Sequence, residues 1–355
     1  MIFFVLGLVL LGGLALVALL VGKVVSSKTK DSGAFVSELW IYPVKSCKGI
    51  RVKTSQITRL GLTWDRRFMV AESKTNLFVS QRKYPKMANI EPSVSQDDDG
   101  TVTLKLTYNK GGHGAQSHVE KFKVDDAKTK FPKEQVKVWG DTMSAARLSD
   151  KAAKWLTSIL SLDCYLVTVI SESEHSRPAP KEYRVSSSDQ AGGFPDGFPY
   201  LLASEESLAL VNAKLKQDKA PQIPMDRFRP NIVVKGVSEP FAEDYWAKIR
   251  IGDDIHFRVA KPCSRCSMPT VDQKTGTRNK DNQPTRSMRK FRLFRWVKSS
   301  KADVYFGQNL ISYQTTQTGL SLSEGAPVSV VCGTWSKGGQ ASKLTSIMLH
   351  LAKFL

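Results

Sequence analysis

From Ile2 to Gly22 the chain carries no charged side chain, and Leu, Val, Ile, Phe, Gly and Ala dominate the run. A helix of that length spans about 30 Å, the hydrocarbon thickness of a bilayer. The run is longer than the apolar region of a secretory leader and no Lys or Arg precedes it, which favours an uncleaved anchor over a cleaved signal peptide. Lys23, Lys28 and Lys30 follow directly, and positive charge beside a span tends to stay on the cytosolic side. Residues 1–30 therefore read as a transmembrane anchor and tether, with the rest of the chain facing the cytosol.

The 355 residues leave room for two or three compact domains after such an anchor. Lys and Arg number 52 against 33 Asp and Glu, a net charge of +19. That excess suits an anionic partner, whether a lipid surface, nucleic acid, an acidic protein or a phosphorylated cofactor, or else a generally basic surface. The five cysteines, Cys47, Cys164, Cys263, Cys266 and Cys332, are too few and too scattered for a disulfide framework. Reduced thiols follow, which keeps each available as a metal ligand.

Strand-like patterning covers much of what remains. Phe35 to Tyr42, Arg67 to Ala71, Thr101 to Tyr108, Asn231 to Val234, Lys248 to Gly252, Ile255 to Val259 and Pro327 to Val331 suit short strands. The turn signal Asp97-Asp-Asp-Gly and the loop signal Gly111-Gly-His-Gly punctuate them. Two helices interrupt: Asp150 to Leu160, with Ala152, Ala153, Trp155, Leu156, Ile159 and Leu160 on one broad face, and a second that Ser204 starts as N-cap. Residues 171–198 are polar and rich in Ser, Gly and Pro, and read as a link between domains. The expected fold is a β-rich α+β arrangement in which short antiparallel strands close into barrels.

Lys261-Pro-Cys-Ser-Arg-Cys-Ser-Met-Pro-Thr-Val-Asp concentrates the chemistry. Two thiols at C-x-x-C spacing suggest a metal site or a redox pair. Structural zinc needs further Cys or His ligands at related spacings, and the other three cysteines are isolated. A thioredoxin-like motif sits at a strand-to-helix turn, whereas these flanks look like β-structure. One soft thiolate for a metal ligated mainly from elsewhere is what remains. Arg265 beside the thiols can meet an anion. Arg229 and Asn231, in Arg227-Phe-Arg-Pro-Asn-Ile-Val-Val, offer a planar cation and an amide at a strand entrance, or simply solvated polar residues there. Tyr42-Pro-Val-Lys-Ser-Cys and Asp65-Arg-Arg-Phe say little in isolation.

Taken together, these segments resemble the MOSC family of molybdenum-cofactor proteins, and within it the amidoxime-reducing group. The similarity runs through Tyr42-Pro-Val-Lys-Ser-Cys, Gly61-Leu-Thr-Trp-Asp-Arg-Arg-Phe, Asp196-Gly-Phe-Pro-Tyr, Phe228-Arg-Pro-Asn-Ile, Phe241-Ala-Glu-Asp-Tyr-Trp, Pro262-Cys-Ser-Arg-Cys, Val271-Asp-Gln-Lys-Thr-Gly and Phe306-Gly-Gln, in order. It implies a MOSC N-terminal β-barrel-like domain over 31–170, a MOSC β-barrel domain carrying the cofactor over 199–333, and a tail at 334–355. It implies Mo-molybdopterin as cofactor, with Cys266 as metal ligand and catalytic residue. The cofactor-binding candidates are Lys45, Ser46, Arg66, Ser204, Arg229, Asn231, Ser264 and Arg265, and Cys263 takes a supporting or structural role. The implied reaction is reduction of N-hydroxylated substrates such as amidoximes or hydroxylamines. Electrons would come from NADH through a flavin reductase and an acidic b-type cytochrome, at the mitochondrial outer membrane. Ser267-Met-Pro-Thr departs from the family's apolar and threonine-rich run, which puts likeness on the substrate side in doubt.

Between Arg278 and Lys301 basic residues are interleaved with Phe291, Phe294 and Trp296. With no nucleic-acid motif around it, this run reads as a docking face for an acidic electron-transfer protein, then for membrane headgroups, or as a solvated loop. Two further function classes stay open. One is a sulfur-transfer or cofactor-carrier protein like the carboxy-terminal part of molybdenum-cofactor sulfurase, though no segment resembles that enzyme's pyridoxal-phosphate domain. The other is a non-enzymatic membrane adaptor.

Overall fold

The computed structural model describes residues 30–109, 115–171, 177–293, 303–314 and 319–333. Apart from Lys30, the expected anchor lies outside the described residues, as do the Gly111 loop, Phe294 and Trp296 of the basic run, and the tail from residue 334. Among the described residues no helix is long and apolar enough to cross a membrane.

The chain opens with β1 (Lys30–Ile41) and β2 (Ile50–Val52), then a short hairpin of β3 (Thr54–Thr58) and β4 (Gly61–Leu62). Next come β5 (Phe68–Glu72) and an antiparallel meander of β6 (Ile90–Gln96), β7 (Thr101–Asn109) and β8 (Ala115–Lys123). The Asp97 turn joins β6 to β7, with the Gly100 N–H donating to the Asp97 carbonyl at 2.9 Å. A one-and-a-half-turn helix, α1 (Val124–Thr129), leads into the hairpin β9 (Lys133–Val138) and β10 (Asp141–Arg147). Helix α2 (Asp150–Leu160) and β11 (Cys164–Thr168) end this half.

Period decides the packing here. Strand β7 buries Val102, Leu104, Leu106 and Tyr108 on alternate positions, and α2 lays Ala152, Leu156, Ile159 and Leu160 into the same core. Ser149 caps α2 by accepting the Ala152 N–H, satisfying one of the donors a helix start leaves orphaned. Strands β5 and β11, buried on both faces, pair in a four-stranded sheet, β5-β11-β10-β9, whose β9 edge is half exposed. Phe68, Val70 and Leu166 point into the core under α2, whereas Met69, Ala71, Tyr165 and Val167 point into a second core with Phe194.

The second half holds β12 (Tyr200–Ser204), α3 (Glu205–Gln217), β13 (Ile232–Lys235), β14 (Trp246–Ile251), β15 (Ile255–Arg265), a short α4 (Thr285–Met288), β16 (Val304–Ser312), β17 (Ser321–Ser323) and β18 (Pro327–Gly333). Seven strands close a barrel in the order β13-β12-β16-β15-β14-β18-β1, because β1 pairs with both β18 and β13. Closure removes every free edge from that ring. Strand β1 precedes the N-terminal sheets in sequence yet completes the C-terminal barrel, stitching the two halves together. The barrel interior is aliphatic and aromatic: Val36, Leu39, Leu202, Ile232, Val234, Ile249, Ile251, Phe257 and Leu310 are all fully buried. Each such side chain contributes about 1.5–3 kcal/mol through removal from water.

Strand β16 lies between β12 and β15 and contains one residue that only glycine suits. Gly307 has φ +76°, and a Cβ there would lie 2.6 Å from the Leu202 carbonyl oxygen on β12. We expect Gly307→Ala to destabilise the protein by about 2 kcal/mol or more through combined strain and overpacking, read as a fall in the urea midpoint. An unchanged midpoint would contradict so close a strand approach.

Candidate functional site

Two turns facing each other across the seam between the halves build the site. After β1, Tyr42-Pro-Val-Lys-Ser-Cys leaves the barrel, while Arg229-Pro-Asn enters β13 beside it. Ser46, Arg66 and Arg229 all hold left-handed backbone, with φ of 67°, 49° and 57°. Each is a conformation that non-glycine residues adopt at a cost of about 1 kcal/mol or more, and such residues cluster at functional sites.

These residues line an open cleft with about 660 Å³ of empty space, part of it open to bulk solvent. Lys45, Arg66, Arg82, Arg229 and Arg265 bring cations to its walls, and Asp196 is the carboxylate among the lining residues. The guanidinium carbons of Arg66 and Arg229 lie 4.7 and 4.2 Å from the centre of the buried Tyr42 ring. Asp65, 1% exposed, accepts the Tyr42 N–H at 2.8 Å through Oδ1 and Arg66 Nη1 at 2.5 Å through Oδ2. Arg229 donates Nη1 to the Cys47 carbonyl at 2.7 Å, but its buried Nη2 has no protein partner, nor has the Nε of Arg265. Burial and the nearby Arg66 charge pull the Arg229 guanidinium down to about 10 while Tyr42 opposes the shift; it stays cationic at neutral pH.

Lys45 is 5% exposed, donates to the Phe194 carbonyl at 2.8 Å and pairs with Asp196. Burial pulls its ammonium down to about 8, against the opposing attraction of Asp196. For Asp196, burial is outweighed by the charge of Lys45 and by hydrogen bonds from Lys45 and Trp139, which hold the carboxyl below the usual carboxylate range. Arg177 clamps this segment, donating Nη2 to the Asp196 carbonyl at 2.8 Å and Nη1 to the Pro195 carbonyl.

The thiol motif ends β15. Cys263 and Arg265 face the cleft, with Arg265 Nη1 donating to Cys263 Sγ at 3.0 Å and Nη2 to the Phe228 carbonyl at 2.7 Å. Cys266, the residue after the strand, is exposed, and its Sγ accepts the N–H of Met268, itself a lining residue, at 3.4 Å.

Of the residues singled out in the sequence, Lys45, Ser46, Arg66, Arg229, Asn231 and Arg265 come together in this cleft. Asn231 is already committed to the protein: its Oδ1 accepts from Arg66 and the Leu201 N–H, and its Nδ2 donates to the Trp40 carbonyl. Cys266 and Ser264 stand outside the lining, both exposed. Ser204 is elsewhere, fully buried at the head of α3, where it bonds Ser207 at 2.6 Å and Glu243 at 3.0 Å. Phe78, Arg82 and Asp196 line the cleft without having been singled out as site residues, and Cys263, expected in a supporting or structural role, lines it too.

Among the described residues no three His, Cys, Asp or Glu gather to hold a metal. A metal here would take most of its ligands from a small molecule. The unspent guanidinium N–H groups and the cationic walls fit a phosphate-bearing one.

Residues 33–163 match the model described as the MOSC N-terminal beta barrel domain, and residues 189–329 match the MOSC domain. The chain is 29% identical over 298 residues to mitochondrial amidoxime reducing component 2 of Bos taurus, covering 82% of each chain. To mitochondrial amidoxime-reducing component 1 of Mus musculus it is 31% identical over 266 residues, 73% of this chain and 71% of that one. A molybdenum cofactor sulfurase of Oryza sativa subsp. japonica is 27% identical over 323 residues, 89% of this chain but 36% of that protein.

The lowered pKa of Lys45 gives the cleft a pH signature. Its folded value of about 8 lies below its ordinary one, so the cleft loses this charge as pH rises through 8, well before an exposed lysine would titrate. Sulfate, whose own charge is constant in that range, should bind several-fold more weakly at pH 9.5 than at pH 7 by calorimetry. Lys45→Met should flatten that step; a wild-type affinity constant across the range would refute the assignment.

Proposed function

Because the chain belongs to the MOSC family, we propose that it is a molybdenum-cofactor-dependent reductase of N-hydroxylated compounds such as amidoximes and hydroxylamines. The observation that carries this reading is the buried Arg229, with one guanidinium nitrogen unpartnered in a cleft of like charge. Such a group costs several kcal/mol to leave unsatisfied, and a phosphate-bearing pterin would relieve it.

In this reading Lys45, Ser46, Arg66, Arg229 and Arg265 hold the anionic end of Mo-molybdopterin, and Cys266 supplies the thiolate ligand. Asn231 acts by fixing Arg66, and Cys263 with Arg265 forms the wall beside the metal position. When bound, the cofactor would supply the two-electron redox chemistry that cleavage of an N–O bond needs. The overall change takes two electrons and two protons per substrate and yields the reduced nitrogen compound and water. The protein's own part is to orient substrate against that position and to supply fixed positive charge where the oxygen gathers electron density.

The electrons are proposed to come from NADH through a flavin reductase and an acidic b-type cytochrome. Exposed Arg278, Lys280, Arg286 and Arg289 supply a basic docking face for that partner, with anionic headgroups as the next occupant. The relatives' names carry the word mitochondrial; together with the apolar run from Ile2, this supports anchoring at the mitochondrial outer membrane with the cleft on the cytosolic side.

A second reading, a sulfur-transfer or cofactor-carrier protein, is favoured by the span of the sulfurase match, 89% of this chain. The full-length chain separates the two. The reductase reading expects near-stoichiometric molybdenum and turnover of an amidoxime with a chemical reductant. Cys266→Ala should lose most of both, and Cys263→Ala should keep its metal. Molybdenum without turnover would favour the carrier; metal lost in Cys263→Ala and kept in Cys266→Ala would exchange the roles of the thiols.

A further inference from the structure

One wall of the cleft stands beside the cationic cradle and meets it where Lys45 Nζ lies 4.8 Å from the centre of the Phe78 ring. Phe78 and Arg82 line it, and Trp139 stands behind them. The Arg82 guanidinium carbon lies 4.3 Å from the Trp139 ring centre and 5.6 Å from that of Phe78. The two rings touch at 5.2 Å, tilted by 57°. Trp139 Nε1 donates to Asp196 Oδ1 at 3.0 Å, tying this wall to the Lys45 ion pair.

Two features are not explained by folding. Trp139 opens the two-residue turn of the β9–β10 hairpin, where Val138 pairs with Asp141. Its φ is 57°, in a position that Asn, Asp or Gly fills readily and a bulky residue fills at a cost. It is also 50% exposed. A strained, half-exposed indole at a hairpin tip contributes little to a core. Arg82, for its part, uses its guanidinium face on the aromatic ring, and a stacked guanidinium keeps its edge N–H groups available for a planar anion.

We propose that Phe78, Arg82 and Trp139 form the substrate-selecting wall of the cleft, and that it recognises a flat aromatic group bearing a carboxylate. The ring would lie against Phe78 while the carboxylate meets the edge of Arg82, which Trp139 holds from behind. This deepens the reductase reading by naming a class of substrate, and it rests on that reading only for the identity of the reacting group. Arg82 acts here as the specificity-determining residue and Trp139 as the residue that positions it.

The test is binding first, so that it stands apart from turnover. With the full chain as isolated, calorimetry compares benzamide with 4-carboxybenzamide. The carboxylate should bind about tenfold more tightly, the size expected of one charge-assisted hydrogen-bonded pair. Arg82→Gln should abolish that preference. Trp139→Asn should reduce the preference for the carboxylate while holding or raising the thermal midpoint, because asparagine suits the left-handed turn. Equal affinities in the wild type would overturn the proposal, as would a preference that survives Arg82→Gln. Loss of molybdenum from Arg82→Gln would also overturn it, since Arg82 would then belong to the cofactor's cradle. Selective binding without amidoxime turnover would leave this wall standing and remove the reductase reading.

Discussion

The arrangement around Tyr42 is the constraint from which the rest of the molecule follows. Two buried guanidiniums, Arg66 and Arg229, lie against one aromatic ring, with Lys45 nearby and Asp65 as the deeply buried carboxylate in contact with Arg66. Burial and the neighbouring Arg66 charge depress the Arg229 guanidinium, with Tyr42 opposing, whereas at Arg66 burial is more than offset by Asp65, which holds that side chain cationic. Buried like charge is tolerated where something of opposite sign completes it. The scaffold therefore holds open a place for an anion.

The topology keeps that place open. Strand β1 runs through the C-terminal barrel and delivers Tyr42 and Lys45 at its exit, while β13, its neighbour in the ring, delivers Arg229 and Asn231 at its entrance. The Asn231 amide then bonds to Trp40, Leu201 and Arg66, so one side chain locks two strands and one cation together. Removing any of these strands would undo barrel closure and the cleft at once. Stability and anion recognition thus draw on the same hydrogen bonds, and this explains why left-handed residues persist here: the surrounding barrel over-determines their backbone.

How much of this was legible beforehand depends on range. Helix α2 begins and ends where the apolar period puts it, and β5, β7 and β13 fall within a residue of their expected runs, whereas β1 begins five residues before its own. These are local signals. The cationic pieces were also visible, each in its own short motif. What no local pattern carried was their juxtaposition with Asp196, Arg82 and Trp139, which come from a polar stretch, a turn and a hairpin tip. Strand β16 was missed because Gly307 and Gln308 interrupt its apolar run, although both are buried in the centre of the sheet. Ser204 shows the opposite limit: its N-cap role is local and held, while its hydroxyl is absorbed by Glu243, a partner far along the chain.

The two walls of the cleft also differ in what stabilises them, and this bears on how such a site can diversify. The cradle of Lys45, Arg66 and Arg229 is tied into strand ends, so a substitution there disturbs the barrel as well as the ligand. Arg82 and Trp139 sit on turns of the N-terminal half, while Phe78 is bridged to Ala71 in the core, and the wall joins the cradle through Asp196 and the Lys45–Phe78 contact. Loops tolerate replacement far better than the elements they connect. A chain can therefore keep one anion-binding core fixed while the facing wall changes its aromatic and charged groups, and selectivity can shift without loss of the fold.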